Sequence, residues 1–341
     1  MKALYFLSPG QLELKEVEKP QAGPGEIIIK VAYAGVCGTD VRIYRGTKVI
    51  PAPRIIGHEF SGTIAEVGEE VEGWKPGDRV TVYPVIPCGT CYACQSGRPN
   101  ICLNRTTIGY ELDGAFAEYV KVPREAVLKG HVIPLPAEIS LEEAAAAEPV
   151  AAAFQGLLRS RLSPGQDVCI LGAGPIGLYH VQLSLWRGAR NIIVSEPQEE
   201  RRAQALKFRA TAAVPPEEIE KTVRDLTAGT GVDVVFIDVG LPQIITPALK
   251  LLKKGGTCVL FAGCPVGSTA QIDPNEIHYR EIDLIGSSAS TPENLATVLR
   301  LAARKFINIK DTIGDILPLE EWPKAFQMKE AYAGLKTLLK P

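Results

Sequence analysis

Four cysteines lie within a short segment of the chain in which glycines and a proline supply the turns. They are Cys88, Cys91, Cys94 and Cys102. In a long chain, clustered thiols bind a metal more often than they build a disulfide framework. Four thiolates complete the tetrahedral shell of a zinc ion and leave no position for a substrate. The spacing therefore predicts a closed, structural zinc site.

A second set of possible metal ligands is spread along the first half of the chain. Its members are Cys37, His58, Glu59 and Glu148. Taken singly, a cysteine or a histidine is usually a core residue, and Glu148 could simply end a helix before Pro149. Taken together, a thiolate, an imidazole and carboxylates are the donor types of an open, catalytic zinc site. The combination supports the hypothesis of a second, reactive metal centre.

A glycine-rich turn follows the apolar run at 168–171 and precedes an apolar stretch that begins at Leu178. The turn contains Gly172, Gly174, Pro175, Ile176 and Gly177. Glycines in the order G-x-G-x-x-G allow the backbone to approach a pyrophosphate, whose charge faces the helix N-terminus. Because a strand precedes the turn and a helix follows it, the segment predicts a dinucleotide site.

The choice between the two nicotinamide dinucleotides depends on the end of the next predicted strand. Glu196 follows that strand, about 20 residues after the glycine turn, where an acidic side chain accepts hydrogen bonds from the ribose hydroxyls of NAD. Arg201 and Arg202 could support the 2′-phosphate of NADP instead, although the Glu196 carboxylate would repel that phosphate. We therefore expect NAD as the cofactor.

Two kinds of framework are needed to position these side chains. Residues 1–150 carry short β-branched runs between glycines and prolines, which predicts a barrel-like β domain. A capping box at Ser140 predicts the start of a helix that links the domains. Within 151–285, apolar runs alternate with helical stretches, which indicates βαβ units and a doubly wound parallel sheet. We assign 286–341 back to the first domain.

The composition narrows the range of partners. Hydrophobic residues make up 46% of the chain and charged residues 22%, with 37 basic against 39 acidic side chains. Such a balanced charge creates no strong field toward nucleic acid or a membrane surface. The apolar run at the N-terminus is too short for a signal peptide, and no apolar stretch is long enough to span a bilayer. We expect a cytoplasmic protein whose partners are a small-molecule substrate and other subunits.

The sequence resembles the zinc-containing medium-chain dehydrogenases, and within them the polyol (sorbitol-like) and threonine dehydrogenase branch, over essentially its whole length. The resemblance rests on the four-cysteine segment, the glycine turn, Gly57-His58-Glu59, Asp113 to Tyr119 and Glu148-Pro149. It implies a GroES-like β-barrel catalytic domain, made of 1–150 and 286–341, and a Rossmann domain at 151–285 that binds NAD. It also implies two zinc ions per chain, one catalytic and one structural, and a homotetramer.

The resemblance assigns roles to individual residues. It makes Cys37 and His58 zinc ligands, and it leaves open whether Glu59 or Glu148 binds the zinc directly. Glu148 stands where many alcohol dehydrogenases have a second cysteine, which favours the polyol and threonine branch. Thr39 matches the hydroxyl that passes the substrate proton onward. Arg42 departs from the pattern, because relatives commonly have a relay histidine there and an arginine does not release protons near neutral pH.

The expected activity is a zinc-dependent, NAD-linked interconversion of a secondary alcohol and a ketone. The substrate class is a polyol, a sugar acid or a similar small polar molecule, and we count Arg42 as a possible contact to a carboxylate or hydroxyls. A second departure is 286–290, which lacks the substrate-holding arginine of sorbitol- and threonine-specific relatives, so the substrate is not inherited. The alternatives are an L-threonine 3-dehydrogenase, an NADP-linked aldehyde or quinone reductase, and a nucleotide-binding relative without catalysis.

Overall fold

The helices and strands fall into two units in the computed structural model, which describes residues 1–341. Unit 1 consists of Met1–Ala151 and Ser290–Pro341, and unit 2 consists of Ala152–Ala289. The strands are β1 Lys2–Ser8, β2 Gln11–Glu16, β3 Ile27–Gly35, β4 Arg54–Ile55, β5 Glu59–Val67, β6 Arg79–Val82, β7 Val85–Ile86, β8 Thr106–Thr107, β9 Tyr119–Val122, β10 Val132–Pro134, β11 Val168–Leu171, β12 Ile192–Ser195, β13 Ala212–Val214, β14 Val232–Ile237, β15 Leu252–Leu260, β16 Asp283–Gly286, β17 Ile313–Pro318 and β18 Lys336–Lys340. The helices are α1 Gly38–Tyr44, α2 Tyr92–Gln95, α3 Arg124–Leu128, α4 Leu141–Ala145, α5 Glu148–Ser160, α6 Pro175–Trp186, α7 Glu199–Lys207, α8 Ile219–Leu226, α9 Ile245–Lys250, α10 Pro274–Arg280, α11 Pro292–Ala303 and α12 Trp322–Glu330.

Unit 1 is built on β sheets that share one apolar core. Its main sheet has the order β10-β6-β5-β3-β18-β17, with β9 also paired to β3, and β2-β1-β4 forms a second sheet. Side chains from both sheets and from α12 meet in the core, among them Phe6, Ile27, Phe60 and Phe326. β18 lies antiparallel to β3 and parallel to β17, so a late segment of the chain is inserted into the middle of the sheet.

The helix predicted at Ser140 forms, but it does not link the units. Ser140 and Glu143 make the reciprocal capping-box hydrogen bonds, and α4 then ends at Ala145 after little more than one turn. The helix that crosses from unit 1 into unit 2 is α5. The break has a steric cause, because Pro149 in the interior of one continuous helix would clash with the carbonyl four residues earlier. In α5 it occupies the first turn, where the missing N–H costs nothing.

Unit 2 contains six parallel strands in the order β13-β12-β11-β14-β15-β16. β11 and β14 are buried along their whole length, which explains why their sequences are continuous apolar runs. The strand order reverses between β11 and β14, and ligands of such sheets bind at the carboxyl ends of the strands at this point. The prediction of a β domain joined to a doubly wound parallel sheet is confirmed. No helix in either unit has the length and apolar character needed to cross a membrane.

Candidate active site and metal centres

The four clustered cysteines come together at the start of α2 and in the turns around it. Three pairs of their Sγ atoms lie at 3.4 Å (Cys88–Cys102), 3.5 Å (Cys91–Cys94) and 3.8 Å (Cys91–Cys102). All four thiols are free, so no disulfide holds them at these distances. Zinc–sulfur bonds of about 2.3 Å in a tetrahedron place the sulfurs about 3.8 Å apart. The four thiols therefore fit a closed zinc site.

Backbone donors favour the thiolate form that a metal requires at this cluster. The backbone N–H groups of Thr90 and Cys91 lower the pKa of the Cys88 thiol to about 6. Cys88 in turn donates its backbone N–H to the Cys102 sulfur at 3.2 Å. Since a zinc ligand must be deprotonated, these donors prepare Cys88 for a metal, whereas burial raises the pKa of the Cys94 thiol to about 12.

The dispersed ligand candidates meet where β3 and β5 pair. Cys37 lies two residues after the end of β3, and the antiparallel register places Gly35 opposite Glu59, the first residue of β5. His58 directly precedes Glu59 in the sequence. The ligand atoms of Cys37, His58 and Glu59 all lie within 4.8 Å of one another. Strand pairing thus brings Cys37 next to two consecutive donors from a later segment of the sequence.

Asp40 lies behind His58 and is fully buried. Its Oδ2 accepts a hydrogen bond from the backbone N–H of Cys37 at 2.8 Å, so the first turn of α1 fixes its position. Its Oδ1 lies 3.3 Å from His58 Nδ1, and neither of these two atoms has another hydrogen-bond partner. A carboxylate at Nδ1 favours the tautomer that leaves Nε2 free for a metal.

Glu148 begins α5 and reaches the same group of residues. Burial, and then repulsion from the Glu59 carboxylate, raises the pKa of Glu148 to about 7. Glu59 is also buried, and its Oε2 is paired with the ammonium of Lys336 from β18. Lys336 is buried as well and donates a second hydrogen bond to the Val36 carbonyl at 3.1 Å. One buried lysine therefore anchors a carboxylate that candidate zinc ligands surround.

This group of residues holds an excess of acidic side chains in a buried space. Burial alone would lower the pKa of His58, but the negative charges of Tyr110, Asp40 and Cys37 raise it well above its ordinary value. Two carboxylates, Glu59 and Glu148, repel each other in the same place. A divalent cation neutralises such an excess, and thiolate, imidazole and carboxylate are donors that zinc accepts. The residues present fit a zinc ion.

Thr39 and Arg42 stand next to these ligands on α1. Arg42 Nη2 donates to Thr39 Oγ1 at 3.0 Å, so the residue that replaces a relay histidine contacts the candidate relay hydroxyl directly. Thr39 is also hydrogen-bonded to Tyr110, whose hydroxyl lies 3.4 Å from His58 Nε2. Thr39, Tyr110 and His58 thus form a chain of polar groups that leads to the ligand set.

In unit 2 the glycine turn joins β11 to α6. Pro175, Ile176 and Gly177 form the first turn of α6, and Gly174 is its N-cap residue. A Cβ on Gly177 would lie 1.9 Å from the Gly172 carbonyl oxygen, so only glycine lets the helix approach the strand this closely. A Cβ on Gly174 would meet no atom within 4 Å. The open space at Gly174, beside the free N–H groups of the helix, suits a phosphate.

Glu196 follows β12 and is buried beside the glycine turn. Its Oε2 accepts a hydrogen bond from the backbone N–H of Ala173 at 2.8 Å, and its Oε1 accepts one from Gln198 at 3.0 Å. Arg201 lies on α7 and is partly exposed. Arg202 donates to the carbonyls of Glu196 and Pro197, at 2.9 and 2.6 Å. The carboxylate is therefore held at the turn, while one of the two arginines is occupied by backbone.

Three residues of the candidate catalytic centre were not assigned roles from the sequence. They are Asp40, Tyr110 and Lys336. Asp40 had a usable signal, since an acid three residues after Cys37 fits the N-terminal capping position of α1. Tyr110 and Lys336 had none, because their contacts depend on the arrangement of distant segments.

Two family models match the chain. The model described as alcohol dehydrogenase GroES-like domain matches residues 23–136, and the model described as zinc-binding dehydrogenase matches residues 175–304. The first match lies in unit 1, and the second lies largely in unit 2.

The chain is similar along its whole length to named dehydrogenases. An L-threonine 3-dehydrogenase of Pyrococcus horikoshii is 35% identical over 97% of this chain and 96% of its own length. A sorbitol dehydrogenase of Halalkalibacterium halodurans is 34% identical over 100% of this chain and 99% of its own length. A solved structure of a Sinorhizobium meliloti protein, bound to NADP, has 34% sequence identity to this chain. It covers 100% of this chain and 99% of its own chain, and it superimposes on this structure with a TM-score of 0.93. With the two ligand clusters and the dinucleotide turn, these matches confirm the resemblance: the chain belongs to the zinc-containing medium-chain dehydrogenase family, whose members are NAD(P)-linked oxidoreductases of alcohols.

Proposed function

We propose that this protein oxidises a secondary alcohol of a small polar substrate to a ketone with NAD, and catalyses the reverse reduction, at a zinc site formed by Cys37, His58 and a carboxylate. The observation that carries the proposal is the approach of the Cys37, His58 and Glu59 ligand atoms to within 4.8 Å of one another. The acid-rich surroundings and the Asp40 contact to His58 support a metal-binding role. Substrates with several hydroxyls, or a sugar acid, fit the polar groups around Thr39.

The reaction needs a Lewis acid and a hydride acceptor. Zinc, when bound, supplies the first by polarising the substrate hydroxyl, and NAD, when bound, supplies the second through its nicotinamide. Cys37 and His58 would hold the ion, together with Glu59 or Glu148. Asp40 keeps His58 in the ligating tautomer. Glu59 is paired with the Lys336 ammonium, and the same positive charge lowers the pKa of Glu148 against the effect of burial.

The alcohol proton leaves through Thr39. Its Oγ1 accepts the proton from the substrate hydroxyl while the Thr39 hydroxyl proton moves onward to water. Arg42 keeps its own proton and acts by donating to Thr39 Oγ1, which orients the hydroxyl. A valine at position 39 would keep the shape of the side chain and remove this path.

The test is a metal and activity comparison of Cys37→Ser with Cys264→Ser, an exposed cysteine outside both clusters. The zinc-loaded, unmodified protein should contain two zinc ions per chain and reduce NAD with at least one compound from a panel of sugar alcohols, sugar acids and simple secondary alcohols. Cys37→Ser should contain one zinc and lose turnover, while Cys264→Ser keeps both. Two zinc ions and normal turnover in Cys37→Ser would refute the assignment.

L-threonine 3-dehydrogenase activity is the second candidate, because the Pyrococcus horikoshii relative carries that name at 35% identity. L-threonine in the same panel separates the two. Preferred oxidation of L-threonine over every polyol and sugar acid would replace the first proposal with the second.

We also propose that the enzyme is a cytoplasmic homotetramer that prefers NAD to NADP. Free thiols at all eight cysteines suit a reducing compartment. Val266 and Tyr279 in unit 2 are large, exposed apolar side chains of the kind that subunit interfaces cover. Light scattering on the purified protein measures the mass, and a monomer would refute the assembly. The preference for NAD rests on the buried Glu196 carboxylate.

A further inference from the structure

Three cations lie together beside the candidate catalytic centre: Arg42 on α1, Lys48 in the loop after it, and Arg105 just before β8. The Lys48 ammonium lies 4.2 Å from the centroid of the Tyr110 ring. The same ring is 5.0 Å from that of His58, and the Tyr110 hydroxyl lies 3.4 Å from His58 Nε2. Lys48 is thus separated from a candidate zinc ligand by a single aromatic side chain.

The three charges are close enough to act on one another. Burial, and then the positive charges of Arg105 and Arg42, lower the pKa of Lys48. Glu111 and Cys37 offset part of this repulsion. Glu111 is exposed, however, and its carboxylate already accepts a hydrogen bond from the backbone N–H of Thr107 at 2.8 Å. The cluster therefore keeps a net positive charge.

None of the three cations has a carboxylate at ion-pair distance, unlike other basic residues of unit 1. Arg45 makes two hydrogen bonds to Glu330, at 2.5 and 2.8 Å, and Arg54 pairs with Asp113 at 3.1 Å. Lys48 is half-buried, which removes part of its hydration without a compensating anion from the protein. Unpaired cations beside a reactive centre are expected where a ligand brings the missing negative charge.

We propose that Arg42, Lys48 and Arg105 form an anion subsite and that the substrate is a hydroxy acid or phosphorylated polyol, whose carboxylate or phosphate this subsite binds. The inference rests on the proposed function and deepens it. A planar guanidinium matches the oxygens of either anion, and the flexible Lys48 ammonium adds a third donor group. L-threonine also carries a carboxylate, so the subsite by itself does not separate it from other hydroxy acids. A neutral polyol offers no charge to the subsite.

The experiment compares three six-carbon substrates that differ in charge: a neutral alditol, the corresponding aldonate and the alditol phosphate. kcat/KM with NAD is measured for the unmodified enzyme, for Lys48→Met and Arg105→Gln, and for Arg45→Gln, which removes an ion-paired arginine of the same unit. The unmodified enzyme should prefer one of the two anions, and the better anion identifies the group that is bound. Lys48→Met and Arg105→Gln should each lower the ratio of anion to neutral efficiency by about ten- to a hundred-fold, mainly through KM. Arg45→Gln should keep the ratio.

A second measurement does not depend on turnover. Inorganic phosphate should raise the melting temperature of the unmodified protein more than that of the Lys48→Met/Arg105→Gln double variant. The glycine turn also binds phosphate but is intact in both proteins, so the difference reports on the subsite alone.

The results distinguish a failure of the anion subsite from a failure of the proposed dehydrogenase function. If the neutral alditol is preferred and each variant changes all three substrates equally, the subsite is refuted while the dehydrogenase stands. If no alcohol reduces NAD although both zinc ions are present, the proposed function is refuted, and the phosphate comparison decides the subsite by itself. An equal phosphate effect on both proteins would overturn the subsite in either case.

Discussion

Two glycines of the dinucleotide turn should respond in opposite ways when each receives a single methyl group. In Gly177→Ala the new Cβ would lie 1.9 Å from the Gly172 carbonyl oxygen, so β11 and α6 must move apart by more than 1 Å to reach an ordinary contact. Overpacking of this kind costs about 1–3 kcal/mol of folding free energy. In Gly174→Ala the new Cβ meets nothing within 4 Å, and φ −67° with ψ −179° is an ordinary alanine conformation. This variant should be as stable as the parent or gain about 0.4–1 kcal/mol, because alanine restricts the unfolded chain.

The effects of the two substitutions on cofactor binding should be reversed, so that Gly174→Ala is the variant that binds NADH more weakly. The methyl group of Gly174→Ala occupies the space through which a pyrophosphate reaches the N–H groups of α6. Loss of one charge-assisted hydrogen bond costs about 1.5–3 kcal/mol, which weakens NADH binding by about 10- to 150-fold. Urea unfolding measures the first quantity and NADH fluorescence titration measures the second, on the same zinc-loaded preparations. Normal NADH affinity in Gly174→Ala would show that the pyrophosphate lies elsewhere, and normal stability in Gly177→Ala would refute the packing argument.

Three further predictions concern metal, cofactor choice and pH. Cys91→Ser should reduce the zinc content from two ions to one and lower the urea midpoint, because structural zinc contributes folding free energy, whereas the exposed Cys264→Ser should change neither; zinc analysis and urea unfolding check this. Glu196→Ser should narrow the preference for NAD over NADP, since it removes a carboxylate that repels the 2′-phosphate, and equal kcat/KM for both cofactors in the unmodified enzyme would contradict the premise. Burial would raise the pKa of Asp167, but hydrogen bonds from Arg190 and the neighbouring asparagine lower it. Its stabilisation is therefore present above the unfolded-state pKa of about 3.9 and is lost as the pH falls below it, so Asp167→Asn should lose less stability than the parent between pH 6 and pH 3.

The parts of the fold that follow from local patterns were predictable. β11 and β14 coincide with continuous apolar runs because both faces of a central parallel strand are buried. The first half of β15 carries Lys253, Lys254 and two glycines, which are typical of a turn, and there the pairing with β14 is irregular: Leu252 pairs with Val232, and regular pairing begins only at Thr257.

In the candidate site, too, contacts within a short segment were predictable, whereas contacts between distant strands were not. The four clustered cysteines, Cys88 to Cys102, could be grouped from the sequence because short loops alone bring them together. Cys37, His58 and Glu59 could be proposed as one ligand set from their donor types, but their proximity could not be derived from the sequence, since the pairing of β3 with β5 determines it. The Lys336–Glu59 pair could not be foreseen, because its lysine has the sequence context of any surface lysine and is buried only through the position of β18. The catalytic roles of these residues stay predictions until the variants are measured.

The position of β18 has a consequence for the order in which the protein matures. Synthesis runs from the N-terminus, and the early part of a chain begins to fold while later residues are still being added. The four clustered cysteines lie in one short segment of the first half of the chain, so the ribosome releases all four candidate zinc ligands before the second half is made. The end of β3, in contrast, lacks its partner at Ala34 and Gly35, and Glu59 lacks its lysine, until β18 has emerged; residues 27–30 of β3 pair with β9, which is made earlier. We therefore expect the cysteine cluster to be complete on the nascent chain before the Lys336–Glu59 pair of the candidate catalytic centre can form.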